Sequence, residues 1–198
     1  MAKRYDRAES SRLLLEASAV EFARNGIGGA RIDKIADRAG VNKASIYTYF
    51  GKKDDLFAAL LEEKLGELAQ HVVVRSAGIP EYAGQLFDFL NDNPEIVRLF
   101  EQEGMHYDPL EVPGFEKRAA YFQERVRVVR EALGDDADAA AMFFSIISMS
   151  YWFVAAPQVV SMVFGDASPE EIRRRYRAQV VGNAQAMLAA EKAEAEPA

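Results

Sequence analysis

The segment from Gly26 to Leu56 constrains the fold of this chain more than any other part of the sequence. Apolar residues recur at intervals of three and four on both sides of Gly40, which predicts two short amphipathic helices. Glycine enters left-handed backbone conformations without a steric penalty, so Gly40 is suited to a tight turn between them. Asn42 is a favourable N-cap for the next helix, whose inward face is Ile46 and Phe50. Two short helices joined by a tight turn form helix-turn-helix geometry.

A longer helix is predicted before this pair, because an apolar stripe runs from Leu14 to Ala23 at helical spacing. We expect that helix to end at Asn25 and Gly26. The glycine-rich residues 26–29 then form a connection to the second helix, which buries Ile32, Ile35 and two alanines against the first.

The outer surface of the third helix carries small residues, hydroxyls and one cation, which are the groups that contact phosphates and base edges in a DNA groove. These residues are Lys43, Ala44, Ser45, Tyr47, Thr48 and Tyr49. The pattern is equally compatible with an ordinary solvated face, since polar residues lie opposite the apolar stripe of nearly every surface helix.

Charge favours the DNA-binding interpretation. The chain is acidic overall, with a net charge of −7, but its first 53 residues contain 11 basic and 6 acidic side chains, a net +5. The remainder is therefore at −12. A basic N-terminal part can bind a polyanion while the acidic remainder faces solvent.

The run from Ala39 to Phe50, followed by Lys53 and Leu56, is similar to the pattern A-G-V-S-K-G-T-L-Y-x-H-F…K-x-x-L of the TetR (tetracycline-repressor-like) family of bacterial transcription regulators. This resemblance covers roughly residues 8 to 60. It implies an all-α fold, with an N-terminal three-helix domain that contains the helix-turn-helix, residues 1–56. A larger C-terminal helical domain, residues 57–190, would bind an effector and form the dimer. Composition predicts a disordered tail at residues 191–198.

Matching the family pattern position by position gives the candidate DNA contacts. Arg31 stands where the family has Ser or Thr, which weakens the cap of the second helix but leaves a cation for a phosphate or a base. Tyr49 stands where the family commonly has His. Lys53 matches a cation that opens the fourth helix, and the resemblance implies that its ammonium and the helix N-terminus would both face a phosphate. The predicted DNA-binding residues are Arg31, Lys34, Asn42, Lys43, Ala44, Ser45, Tyr47, Thr48, Tyr49 and Lys53.

The rest of the chain is predicted to be helical. Predicted helices run from Lys53 toward Val74, from Glu81 to Leu90, from Pro94 to Glu103, from Phe115 to Leu133, and from a capping box at Ser168 to Glu171. The long stretch from Ala139 to Gly165 has no charge and exceeds the about 20 residues that cross a bilayer. Pro157, four serines and acidic flanks argue against a membrane span.

The alternative for that stretch is a helix apolar nearly all round, covered by its own domain on one side and by a second subunit on the other. The resemblance implies a homodimer built from the last two helices of each subunit. Such a dimer would bind double-stranded operator DNA at two half-sites about one helical turn apart, in a near-palindromic sequence.

The resemblance also implies a small-molecule effector, and aromatic and methionine side chains suggest that it is hydrophobic. The same residues are typical of an ordinary helical core. The candidate ligand residues are Phe87, Phe100, Met105, His106, Tyr107, Phe122, Met142, Ser148 and Trp152, with Leu90, Glu103 and Tyr121 as further candidates.

An enzyme is the competing class, and the sequence gives it little support. The chain has no cysteine, only two histidines distant from each other, and no phosphate-binding glycine loop. We therefore expect no catalytic site, metal or cofactor. The absence of cysteine fits a reducing cytoplasm. A second alternative is a helical ligand-binding or protein-interaction module that does not bind an operator.

Overall fold

The computed structural model describes residues 7–73, 78–134 and 138–195, and all regular secondary structure within them is helical. The predicted all-α class is confirmed. The helices of these ranges are α1 (Arg7–Gly29), α2 (Ile32–Ala39), α3 (Lys43–Tyr49), α4 (Lys53–His71), α5 (Ile79–Asp92), α6 (Pro94–His106), α7 (Phe115–Leu133), α8 (Ala139–Ala155), α9 (Pro157–Phe164) and α10 (Pro169–Ala195).

The chain divides into two compact units, and each unit combines segments that are distant in sequence. The described part of the first unit is residues 7–66 and Arg98–Arg118, so it contains α1, α2, α3, most of α4 and the second half of α6. The second unit contains Glu67–Val97 and the described residues from Ala119 onward.

The first unit has one apolar core, to which every one of its helices up to α6 contributes. Phe22 of α1 and Phe57 of α4 meet edge to face with 5.0 Å between ring centroids, an arrangement that aromatic pairs prefer. Ile35 and Ile46 are fully buried, which confirms the predicted inward faces of α2 and α3. Leu99, from the later segment, completes the same cluster.

The connection after Gly26 differs from the prediction. Gly26 leaves the helical conformation at φ 66° and ψ 174°, as expected of a glycine stop, but residues 27–29 resume a helical turn instead of forming an open loop. Two contacts hold this turn. Ile27 is buried in the core, and the Ala30 N–H donates to the Gly26 carbonyl at 3.0 Å.

The second unit is organised by α5, which packs against α8 and α10. Three rings join these helices: Phe153 stacks on Tyr176 at 4.8 Å, and Phe87 lies 5.1 Å from Phe153. At the α5–α10 contact Arg177 donates to Asp88 at 2.7 Å. Gly84 lies close to α10, since a Cβ there would approach the Arg177 guanidinium to 2.9 Å and a Val181 methyl to 3.1 Å, so a larger residue would displace the Arg177 side chain.

The uncharged stretch from Ala139 to Gly165 is two helices, where the sequence predicted one. Ala156 leaves the helical region at φ −122° and ψ 59°, because Pro157 cannot donate a backbone N–H and restricts the residue before it. The axes of α8 and α9 are bent by 85°. No single helix in the described ranges is long and apolar enough to span a membrane, although this bent pair passes the length and composition test when taken together.

Three other boundaries differ. Helix α6 continues through Gly104 to His106, where glycine predicted an end. Helix α4 stops at His71, and the predicted endpoint Val74 lies outside the described residues. Helix α10 runs to Ala195, so residues 191–195 are helical instead of part of a disordered tail; residues 196–198 lie outside the described ranges. The Glu171 N–H donates to Ser168 Oγ at 3.2 Å, as the predicted cap of α10 requires.

Candidate DNA-binding interface

The turn between α2 and α3 is fixed by backbone hydrogen bonds and one side chain. Gly40 adopts the left-handed conformation at φ 63° and ψ 27°, and its N–H donates to the Asp37 carbonyl at 3.2 Å. Asn42 Oδ1 accepts from the Ala44 N–H at 2.8 Å, so the predicted N-cap is present. Cap and turn together set the residue at which α3 begins.

Helix α3 turns its polar residues away from the core. Ile46 is completely buried, while Tyr47 is 53% exposed and Ser45 is half-buried. Thr48 is exposed, but its hydroxyl donates back to the Ala44 carbonyl at 3.0 Å, so that donor is already used. The remaining exposed residues of this surface are Asn42, Lys43 and Ala44.

The cap of α2 comes from another helix. Arg31 occupies the N-cap position without a side-chain capping bond, as the departure from the family pattern predicted. The buried carboxylate of Glu21, on α1, accepts the Arg31 N–H at 3.1 Å instead. A carboxylate at a helix N-terminus is favoured by the helix dipole. Sequence reasoning missed Glu21, because the contact joins residues on different helices.

The side chain of Arg31 is paired with Asp33. Its Nη2 lies 2.6 Å from Asp33 Oδ2, and both side chains are largely exposed. The hydrogen bond from Arg31 holds the pKa of Asp33 down to about 2, so the pair is ionised at any pH used for DNA binding. Arg31 must leave Asp33 before it can bind a phosphate with its full charge. Lys34 is exposed on the same helix.

Lys53 is tied to the first unit. Its Nζ donates to the carbonyls of Gly28 at 3.2 Å and Ala30 at 3.4 Å, so α4 is attached to the connection between α1 and α2. An ammonium has three donors, which leaves Lys53 one for a phosphate. The Lys52 N–H donates to Asp55 Oδ2 at 2.8 Å and closes the start of α4.

The comparisons with known proteins agree with this geometry. Residues 14–60 match the family model of bacterial regulatory proteins of the tetR family, and residues 78–185 match the tetracyclin repressor-like C-terminal domain. The chain is 37% identical over 180 residues to the HTH-type transcriptional repressor SCO4008 of Streptomyces coelicolor, a match that covers 87% of this chain and 93% of that protein. This chain belongs to the TetR family. It is a DNA-binding transcriptional regulator.

Two solved structures of other regulators superpose on this chain. The transcriptional regulator SCO4942 of Streptomyces coelicolor superposes with a TM-score of 0.70 at 26% identity, over 85% of this chain and 94% of that one. FadR of Bacillus subtilis, solved in complex with stearoyl-CoA, superposes with a TM-score of 0.63 at 18% identity, over 91% of this chain and 96% of that one. The second match shows a shared fold alone.

In this TetR-family chain the segment Arg98–Arg118 packs within the first unit, a tertiary contact that the sequence analysis did not predict. Tyr107 donates to Asp54 at 2.8 Å. Burial of the Tyr107 hydroxyl, and to a smaller extent its hydrogen bond to Asp54, raise the pKa of Tyr107 well above its usual value. Arg118 forms a buried ion pair with Glu103 at 2.8 Å. Of the predicted ligand residues here, Phe100 and Tyr107 pack on the core, whereas Met105 and His106 are exposed.

The other predicted ligand residues belong to the second unit of the regulator. Phe87 and Met142 are buried, and Phe122 is half-buried. Ser148 is exposed and donates to the Phe144 carbonyl at 2.8 Å, and Trp152 is 61% exposed on the same face of α8. Within the described ranges no group of three or more His, Cys, Asp and Glu side chains is arranged to hold a metal ion.

Proposed function

We propose that this regulator is a repressor that binds a near-palindromic operator as a homodimer and is released by a hydrophobic small molecule. The outward face of α3 carries the proposal, because Lys43 and Tyr47 stand exposed on the helix whose start is fixed by Asn42. Similarity to a protein named as a repressor supports repression over activation. The alternative, a helical module without operator binding, is not favoured, because both family models and the 37% identical relative are regulators.

The candidate contacts divide into two groups. Lys43, Ala44 and Tyr47 are exposed on α3 and, with the half-buried Ser45, would contact base edges and their flanking phosphates. The remaining candidates lie beside that surface or are bonded to other residues of the first unit. They would position α3 and bind the sugar-phosphate backbone of the duplex. They are Arg31, Lys34, Asn42, Thr48, Tyr49 and Lys53.

A second copy of the chain is the proposed partner of α8. Phe144, Ser148 and Trp152 follow each other at intervals of four and form one exposed face, on which Phe144 is 70% exposed. Monomeric proteins rarely leave such apolar surface uncovered. Helix α10 offers an open surface at Gly182, where an added Cβ would meet nothing within 4 Å. We therefore propose a two-fold interface formed by the two long last helices, α8 and α10.

The effector site is proposed for the second unit. Among the predicted ligand residues of this unit, Phe87 and Met142 are buried and Phe122 is half-buried. The stearoyl-CoA bound to FadR, which shares the fold, supports a hydrophobic ligand class. Ser148 and Trp152 are better assigned to the dimer interface, because their face of α8 is exposed.

Residues 1–56 remain the proposed DNA-binding domain, and Arg98–Arg118 packs within the same unit. We propose that the regulator acts in the cytoplasm, where bacterial DNA lies.

The test begins by selecting bound duplexes from a randomised DNA library with the full-length protein. Tyr47→Ala should then weaken binding to the selected duplex by on the order of 100-fold, because a hydrogen bond to a charged phosphate is worth about 1.5 kcal/mol in each half-site. Dimerisation and helix content should not change. Wild-type affinity of Tyr47→Ala would show that the recognition surface lies elsewhere. Failure to enrich any sequence would favour the module without operator binding.

A further inference from the structure

Arg7 contacts α3, the proposed recognition helix, from outside the helix-turn-helix. Its guanidinium carbon lies 5.4 Å from the centre of the Tyr49 ring. Arg7 is the first residue of α1 and Tyr49 the last of α3, so the contact joins the start of the first helix to the end of the recognition helix. A guanidinium within about 6 Å of an aromatic ring is attracted by the negative face of that ring.

Tyr49 has restricted freedom on its other side. It is half-buried and packs against the apolar core, and its ring meets Phe50 edge to face at 6.4 Å. Arg7 therefore places a cation beside a ring that the apolar core and Phe50 already hold in position.

Within the described ranges no carboxylate lies at ion-pair distance from Arg7, whereas Arg12 on the same helix is paired with both Glu9 and Glu16. Arg31 is likewise paired with Asp33. Stacking occupies the face of a guanidinium and leaves its in-plane N–H donors available. The exposed Arg7 can therefore contact an anion without giving up its contact with Tyr49.

We propose that Arg7 contacts a DNA phosphate at the edge of the recognition surface and, through its stack on Tyr49, positions that ring on the duplex. The pair acts as one phosphate clamp per half-site, beside the helix-turn-helix. This inference rests on the proposed function, since it requires α3 to lie in the groove. Arg7 is a positioning and phosphate-binding residue and does not read sequence, so its effect should be uniform across DNA sequences.

A salt titration tests the phosphate contact without knowledge of the operator. Binding of the full-length protein to a 30-bp duplex of mixed sequence is measured by fluorescence anisotropy from about 50 to 200 mM salt. Each lost phosphate contact lowers the slope of log K against log salt by about 0.9, so Arg7→Ala should lower it by about 1.8 for a dimer. Its affinity deficit should consequently shrink about twelvefold across that range.

Two variants serve as controls. Arg12→Gln removes the same charge from an exposed position of the same helix, but from an arginine already paired with two glutamates, and should leave the slope unchanged. Arg7→Lys keeps the charge and should keep most of the slope. A slope for Arg7→Ala equal to that of the wild type, or a decrease equal to that of Arg12→Gln, would overturn the phosphate contact.

A double-mutant cycle tests the positioning role. On the selected duplex, Arg7→Ala and Tyr49→Leu should each weaken binding, and the double variant should lose less than the product of the two effects. Tyr49→Phe keeps the ring and should retain the coupling. Independent effects would refute the positioning role. If Tyr47→Ala weakens operator binding while Arg7→Ala changes nothing, the inference fails and the proposed function stands; if the selection enriches no duplex, the proposed function itself fails.

Discussion

Replacing Phe144 by serine should separate the two subunits. Phe144 is 70% exposed, so about 140 Å² of a ring that can bury about 200 Å² is available to a partner. Full coverage at about 25 cal/mol per Å² contributes about 3.5 kcal/mol for each subunit and about 7 kcal/mol for a two-fold dimer. The dimer dissociation constant of Phe144→Ser should therefore rise by on the order of 10⁵-fold.

Sedimentation equilibrium over a wide range of protein concentrations measures this constant directly. Leu110→Ser is the matched control, because Leu110 is 78% exposed but belongs to the first unit, which contributes no residue to the proposed interface. Circular dichroism should show unchanged helix content in both variants, since neither side chain is part of a core. A dimer constant for Phe144→Ser within a few-fold of the wild type would refute the assignment of α8 to the interface, whatever the control does.

Two further substitutions examine the first unit. Asn42→Ala removes the cap of α3 and should lower the free energy of unfolding by about 1 kcal/mol in a urea titration; an unchanged value would mean that the cap adds nothing to stability. Asp33→Asn frees Arg31 and should tighten binding to mixed-sequence DNA, with a salt slope steeper by about 0.9 for each new phosphate contact. Because the pKa of Asp33 is about 2, this effect should be the same at pH 6 and pH 8; an unaltered slope would show that Arg31 does not reach the backbone.

The helix-turn-helix could be predicted because its determinants are local. The turn requires a left-handed backbone at Gly40, and Asn42 accepts the N–H of Ala44, two residues later. Ile46 continues the apolar spacing of the segment before it. Each signal is contained within one or two turns of chain. The resemblance to the TetR pattern depends on the same residues, which is why fold and family could both be predicted from this segment.

Contacts between elements could not be predicted. Glu21 looks like a polar interruption of an apolar stripe, and only the packing of α1 beside α2 brings its carboxylate to the Arg31 N–H. The sequence near Lys53 offers no local partner for its ammonium and therefore favours a phosphate. In the folded chain the ammonium instead donates to the carbonyls of Gly28 and Ala30, which only tertiary structure brings close. The break at Pro157 was a local signal, and it was used only against a membrane span and not as a helix boundary.

These internal bonds limit which residues are free to read DNA. Lys53 and Thr48 have already used donors on backbone carbonyls, and the charge of Arg31 is paired with Asp33. Each can contact a duplex only with what remains, or at the cost of an existing bond. Lys43 and Tyr47 have no such commitment among the described residues and lie on the exposed face of the helix that Asn42 fixes in place. Operator specificity should therefore depend on this short exposed surface, while the paired cations adjust affinity and its dependence on salt.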